Sequence, residues 1–307
     1  MQRRHGNAER KGVNAMHSPT QAQDKRKQLV EEGYCIVDDI VDQEFMTELR
    51  QVTSRIRAEE TQRPSAVKYH GTLIEPAYRD PVYARLIAWQ PSLDLLAAMG
   101  FRDIRWEGSM YLISKLPFGP PLYWHQDWGW WNHPVSSEAR PMQVFLSYYL
   151  ADTTVQNGCL RVIPGSHLRR FDLHDKLLIG PGHVDWTKDE KAEGVNEAML
   201  LDHPAAVDVP AESGSLVIAD ARLLHSTHAN QTPQHRPLVL VWYFLDFYQF
   251  PAEIKEACKT EYSFRPPNWW AGDVGDAVRQ LVVQGEKTGA AIAGTRVPGV
   301  HLRRSGG

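Results

Sequence analysis

A chain of 307 residues, 42% hydrophobic and 23% charged, is long enough to bury a substantial core and has the balance of a globular protein, which excludes fibrous and wholly disordered classes. A formal net charge of -3 gives no general pull towards nucleic acid, and no apolar run approaches the roughly 20 residues of a membrane span. Cys35, Cys159 and Cys258 are far apart and odd in number, so neither a disulfide framework nor a thiolate zinc site is expected, and the reading is a reducing, cytoplasmic compartment.

Residues 1–25 are polar and aperiodic and read as a disordered arm, without the apolar centre of a secretory signal. A short helix is expected over "DKRKQLVEEG", stopped by Gly33, followed by the strand "YCIVDDIV". Asp42 is the expected N-cap of a second helix in which Phe45, Leu49, Val52 and Ile56 recur at helical spacing. "DPVYARLIAWQPSLDLLAAMG" reads as one or two further helices, interrupted near Pro91 and ended by Gly100. Beyond Gly100 the pattern changes to short β-rich runs separated by Gly, Pro, Asn and Asp: "IRWEGSMYLIS", "MQVFLSYYL", "CLRVIPGS", "AAVDVPAESGSLVIADARLLHS" and "RPLVLVWYFL". Such runs argue a sandwich or barrel. Residues 169–204 form a long insert, read as a surface excursion or a lid. A short helix, "DAVRQLVVQGEK", precedes a polar tail over 291–307. The expected architecture is mainly β with flanking α-helices: a few N-terminal helices packed on a double-stranded β-helix, or jelly roll, in one domain over residues 26–290.

The stretch "YWHQDWGWWNHP", from Tyr123, sets His125 and Asp127 two residues apart among four tryptophans. On a strand, positions i and i+2 share a face, so imidazole and carboxylate would converge while Gln126 points away. A third ligand is expected from "ADARLLHSTHANQTPQHR", where His225 ends an apolar run and competes with His228 and His235. Two histidines and a carboxylate make the facial triad of non-haem Fe(II) oxygenases, with three positions left open. Arg236 lies eleven residues after His225 at the start of a strand. A buried arginine needs an anionic partner, either a protein carboxylate such as Asp220 or the distal carboxylate of a metal-bound 2-oxo acid. A non-catalytic cupin-like binding module and a zinc hydrolase also fit two histidines and an aspartate, but neither gives Arg236 a role.

"HQD", then "CLRVIPGSH", then "GSLVIADARLLHSTHANQT" followed by Arg236, together with "EEGYCIVDDIVDQEFMTELR", resemble in order the phytanoyl-CoA dioxygenase family of Fe(II)/2-oxoglutarate-dependent oxygenases over residues 25–250. The resemblance implies that His125, Asp127 and His225 bind iron and that Arg236 binds 2-oxoglutarate. It implies further that Lys115, in "LISKLP", and Thr227 contact the cosubstrate, and that His167 belongs to a structural turn. Fe(II), 2-oxoglutarate and O2 are then required. The implied reaction is hydroxylation of a C–H bond in a small or medium-sized, partly hydrophobic molecule, with release of succinate and CO2. Desaturation, epimerisation and ring formation use the same centre. Trp128, and next Trp130, are the expected walls of the substrate pocket. No nucleic-acid or membrane partner is expected.

Overall fold

The computed structural model describes residues 18–60, 72–74, 79–177, 199–261, 272–283, 289 and 292–303. In chain order these hold α1 (Pro19–Glu32), β1 (Tyr34–Val37), α2 (Gln43–Glu60), β2 (Thr72–Ile74), α3 (Pro81–Ile87), α4 (Gln90–Ala98), β3 (Arg105–Lys115), β4 (Leu122–His125), β5 (Gln143–Tyr149) and β6 (Leu160–Val162). They continue with α5 (Leu173–Lys176), β7 (Val207–Val209), β8 (Leu216–Asp220), β9 (His225–Thr227), β10 (Arg236–Phe244), α6 (Ala252–Glu261) and α7 (Asp273–Leu281).

The helix boundaries follow from their caps. Ser18 accepts from the Gln21 amide, while the Gln21 side chain accepts from the Ser18 amide, a capping box with Pro19 at the first helical position. The helix therefore starts inside the stretch read as an arm, and residues 18–25 belong to the fold. Only Ala22 and Leu29 of α1 are fully buried, so its apolar periodicity is too sparse to mark the true start. Gly33, at φ 88°, ends it. Asp42 Oδ1 accepts from the Phe45 amide, as expected of the second N-cap, and Pro91 sits in the first turn of α4 after a break at Ala88 and Trp89.

The strands form two antiparallel sheets. The larger has the order β1-β8-β5-β10-β3-β2 and the smaller β4-β9-β6-β7. Alternation along β5, β8 and β10 assigns the two faces of the larger sheet. Val144, Leu146, Tyr148, Leu216, Ile218, Val239, Val241 and Tyr243 pack against the helical layer with Phe45, Leu49, Leu86 and Leu96. The alternate residues Phe145, Tyr149, Val217, Ala219, Leu238 and Trp242 pack with Leu160, Val162 and Val209 of the smaller sheet. The inner space between the sheets is where the chemistry collects.

Two further features differ from expectation. β2 extends the larger sheet along β3, and its three residues are too few to show a strand alternation. The segment read as a polar tail is anchored over 292–303: Thr295 bridges Trp130, its amide donating to Gly129 O at 2.6 Å. Leu302 is buried with Trp128, Trp130 and Trp131. Polarity concealed this because the anchor uses main-chain bonds. The centre of the 169–204 insert, residues 178–198, lies outside the described residues, and so does the lid reading. No described helix is long and apolar enough to cross a membrane.

Candidate metal and cosubstrate site

β4 and β9 pair so that His125 and His225 are directly opposite, with ring centroids 4.1 Å apart. Each imidazole makes the same bond: His125 Nδ1 donates to Tyr123 O at 2.9 Å and His225 Nδ1 to Leu223 O at 2.9 Å. A carbonyl can only accept, so each Nδ1 carries the proton and each Nε2 presents a lone pair, the tautomer a metal needs. Between the two Nε2 atoms lies Asp127, its Oδ1 3.7 Å from His125 and its Oδ2 3.8 Å from His225. The three donors lie within 4.8 Å of one another. Adjacent ligands of an octahedral ion, at bonds of about 2.1 Å, stand about 3 Å apart, so a modest contraction completes the triad.

The route to this convergence differs from the expected one. β4 ends at His125, so Asp127 is not on the strand. It is held beyond the strand end, where the amides of Asp127 and Trp128 both donate to Ala221 O, at 2.7 and 2.9 Å. Gln126 does point away, its amide nitrogen donating to Arg222 O.

Arg236 is the register partner of Lys115 across β10 and β3, and both are 2% exposed. The guanidinium donates from Nη2 to Gly158 O at 3.1 Å, while its Nε and Nη1 are buried without a hydrogen-bond partner among the described residues. Asp220 does not serve: its carboxylate is bound by Arg222 at 2.7 and 3.0 Å. Lys115 Nζ donates to Thr227 Oγ1 at 2.6 Å. Burial first, and then the charges of Arg236 and Arg161, push the Lys115 ammonium down to about 6. Burial also lowers Arg236. A buried guanidinium with two nitrogens unmet, beside a lysine whose protonated form burial disfavours, is a costly arrangement unless an anion enters. A planar fork with free N–H groups fits a carboxylate. Thr227 lies two residues from His225 on β9 and therefore on the same face, joining this pocket to the triad. Gly158 allows the close approach: it has φ +90°, and a Cβ there would stand 2.6 Å from Lys115 Cδ.

The tryptophans divide differently from expectation. Trp128 and Trp130 are 0% and 2% exposed and pack with Phe244, Phe250 and Ile254. Trp128 Nε1 donates to Ser136 Oγ at 2.8 Å. Burial and packing in this cluster account for both side chains. Trp124 belongs to another cluster and donates to Leu201 O. The tryptophan that does reach the site is Trp242, whose Nε1 donates to Asp127 Oδ2 at 2.9 Å. A sequence signal existed for it: six residues after Arg236 on one strand, it must share the arginine's face. His167 is buried with Nε2 bonded to Val30 O at 3.0 Å, a structural role as expected.

Cys159, Asp208 and His228 also bring donor atoms together. Here His228 Nε2 and Asp208 Oδ1 are only 2.6 Å apart, closer than two ligands of one ion stand, and burial pushes the Cys159 thiol up to about 11. This is a hydrogen-bonded His–Asp pair beside a buried thiol, unlike the splayed, lone-pair-presenting triad.

The sequence pattern of phytanoyl-CoA dioxygenase (PhyH) matches residues 29–238. The chain belongs to this family. Relatives that the chain matches carry the names of dioxygenases and, in Streptomyces griseoviridis, of an L-proline trans-4-hydroxylase. A probable alpha-ketoglutarate-dependent hypophosphite dioxygenase of Stutzerimonas stutzeri is 26% identical over 52% of this chain and 51% of its own length. The ectoine dioxygenase of Sphingopyxis alaskensis is 24% identical over 66% of this chain and 69% of its own. The chain thus spans about half of the first relative and about two thirds of the second. Among solved structures, the epimerase SnoN in complex with Fe3+, alpha ketoglutarate and nogalamycin RO superposes with a TM-score of 0.53 at 19% identity, covering 74% of this chain and 84% of that one. That likeness is one of fold.

Proposed function

We propose that this PhyH protein is a non-haem Fe(II)/2-oxoglutarate-dependent dioxygenase that hydroxylates an unactivated C–H bond of a small or medium-sized, partly hydrophobic metabolite, releasing succinate and CO2. In this reading the two sheets form the double-stranded β-helix of one catalytic domain, which extends beyond residues 26–290 to include residues 18–25 and 292–303. His125, Asp127 and His225 hold iron, Arg236 grips the distal carboxylate of 2-oxoglutarate, and Lys115 and Thr227 complete the cosubstrate pocket. The observation that carries the reading is Arg236: a guanidinium buried with two nitrogens unmet among the described residues, on the inner face of the larger sheet, towards the smaller sheet that supplies the two histidines of a metal-competent triad.

When bound, the iron and 2-oxoglutarate supply the oxidising power, through oxidative decarboxylation by O2. The chain's residues supply order. The Nδ1–H bonds to Tyr123 O and Leu223 O fix both imidazoles before iron arrives. Arg236 and Lys115 neutralise the cosubstrate where burial excludes water. A metal-binding module without catalysis, or a hydrolase, would leave Arg236 a buried charge without purpose. Desaturation or epimerisation would use the same residues, and the product tells these outcomes from hydroxylation.

The test is anaerobic titration of the protein with Fe(II) and then 2-oxoglutarate, following the weak visible charge-transfer absorption of the chelate. The band is expected in the wild type and strongly weakened in Arg236→Ala at equal cosubstrate. Iron binding without any band in the wild type would overturn the assignment.

A further inference from the structure

Asp127 lies beyond the end of β4 and cannot rely on strand geometry to aim its carboxylate. What it has instead is Trp242, 7% exposed, whose indole N–H donates to Oδ2 at 2.9 Å. An indole nitrogen donates and never accepts, so the bond has one direction. The indole is itself held: the Tyr111 ring from β3 meets it edge-on at 4.9 Å between centroids, and its strand is paired on both sides, with β3 and β5. A rigid donor on the central strand thus grips one oxygen of a carboxylate carried by a less regular segment.

The grip has a chemical consequence. A carboxylate with both oxygens available can chelate an ion through both and occupy one more position. A hydrogen bond on Oδ2 draws electron density from that oxygen and fixes the plane of the group, leaving Oδ1, 3.7 Å from His125 Nε2, as the better ligand. We propose that Trp242 is a positioning residue that holds Asp127 to coordination through one oxygen and so keeps positions on the metal open for cosubstrate and O2. This role rests on the iron reading of the triad. It also gives β10 two functions, since Arg236 and Trp242 project from the same face and place the cosubstrate clamp and the carboxylate anchor on one rigid element.

The variant Trp242→Phe keeps an aromatic ring in the same core and removes the N–H. Co(II), added to metal-free protein without oxygen, is the probe, because its ligand-field absorption reports coordination number directly. The expected result is an altered ligand-field spectrum and Co(II) binding weaker by about 10-fold, a usual loss when an outer hydrogen bond to a metal ligand is removed, with metal-free melting temperatures that differ by only a few degrees. Should the phenylalanine variant fail to fold, benzothienylalanine placed at 242 preserves the shape of the indole and lacks its N–H, and the same change is expected. A spectrum and affinity identical to wild type, with Co(II) bound, would overturn the role of Trp242 alone. Failure of the wild type to bind Co(II), or binding that survives Asp127→Ala unchanged, would overturn the iron reading and this role with it.

Discussion

Arg222 and Arg236 are sealed inside this protein in opposite ways. Around Arg222, which is 0% exposed, every nitrogen is engaged. Asp220 takes Nε and Nη2 at 3.0 and 2.7 Å, and the carbonyls of Ser136, Glu138 and Arg140 accept at 3.0, 2.6 and 2.9 Å. That guanidinium ties the end of β8 to the loop after the tryptophan segment. Around Arg236, 2% exposed, the guanidinium has one carbonyl partner and a neighbouring lysine. A fully met buried charge is cement between chain segments. A half-met one, beside metal ligands, is a socket whose missing partner comes from outside.

The comparison can be broken by removing each guanidinium in turn. Arg222→Met strands the Asp220 carboxylate in the interior and should destabilise the protein by about 3–5 kcal/mol, read as a lower denaturation midpoint. If Arg222→Met melts as the wild type does, the cement reading fails. Arg236→Met should leave the metal-free protein as stable as wild type or more so, because it relieves a buried charge, while weakening 2-oxoglutarate binding by about 2–5 kcal/mol, ~30-fold or more. A large loss of stability in the metal-free protein would mean that Arg236 is structural after all.

Smaller effects sharpen the same contrast. Trp128→Phe removes the bond to Ser136 Oγ and part of the aromatic packing, and should cost about 1–3 kcal/mol of stability without changing Co(II) or cosubstrate affinity once folded. A selective loss of substrate binding would restore Trp128 as a pocket wall. Lys115 predicts a proton linkage. Its ammonium titrates near 6 in the folded chain, against 10.5 ordinarily. Between those values the unfolded chain holds a proton that the folded chain lacks, so this group's contribution makes stability rise with pH across that window. A bound carboxylate raises the folded value again, so 2-oxoglutarate should bind with proton uptake near neutral pH and more weakly as pH rises. Calorimetry in buffers of different ionisation enthalpy measures that uptake, expected to approach one proton and to vanish in Lys115→Met. No uptake by the wild type would remove Lys115 from the pocket.

Much of this was legible in the sequence, for identifiable reasons. The strands after Gly100 are marked by β-formers between turn residues, although the single run "AAVDVPAESGSLVIADARLLHS" divides into β7, β8 and the start of β9. His225 is singled out from His228 and His235 by the order of the motifs, and Arg236 by its place at the start of an apolar strand; the parity argument for His125 and Asp127 does not hold, because β4 ends at His125. The features that the sequence does not reveal depend on contacts distant in the chain. Asp127 is held by Ala221 O rather than by its strand. The 292–303 segment docks through Thr295 and Gly129 main-chain atoms, which polarity does not reveal. Trp128 looks like a pocket residue because it adjoins a ligand, yet the chain turns it into the core. Trp242 looks like core because it lies in an apolar run, yet its N–H reaches the ligand. The Ser18–Gln21 capping box was visible, but the polar surface of α1 masked its start.

The central claim is that Arg236 exists for the distal carboxylate of the cosubstrate. The most direct measurement compares binding of 2-oxoglutarate and pyruvate, a 2-oxo acid without that carboxylate, to the Fe(II)-loaded protein under anaerobic conditions, in wild type and in Arg236→Ala. The account predicts that the wild type prefers 2-oxoglutarate by ~30-fold or more, and that the preference falls to within a few-fold in the variant while pyruvate binding is nearly unchanged. A preference that survives the substitution intact would contradict it, and would mean that the two unmet nitrogens of Arg236 await something other than the cosubstrate.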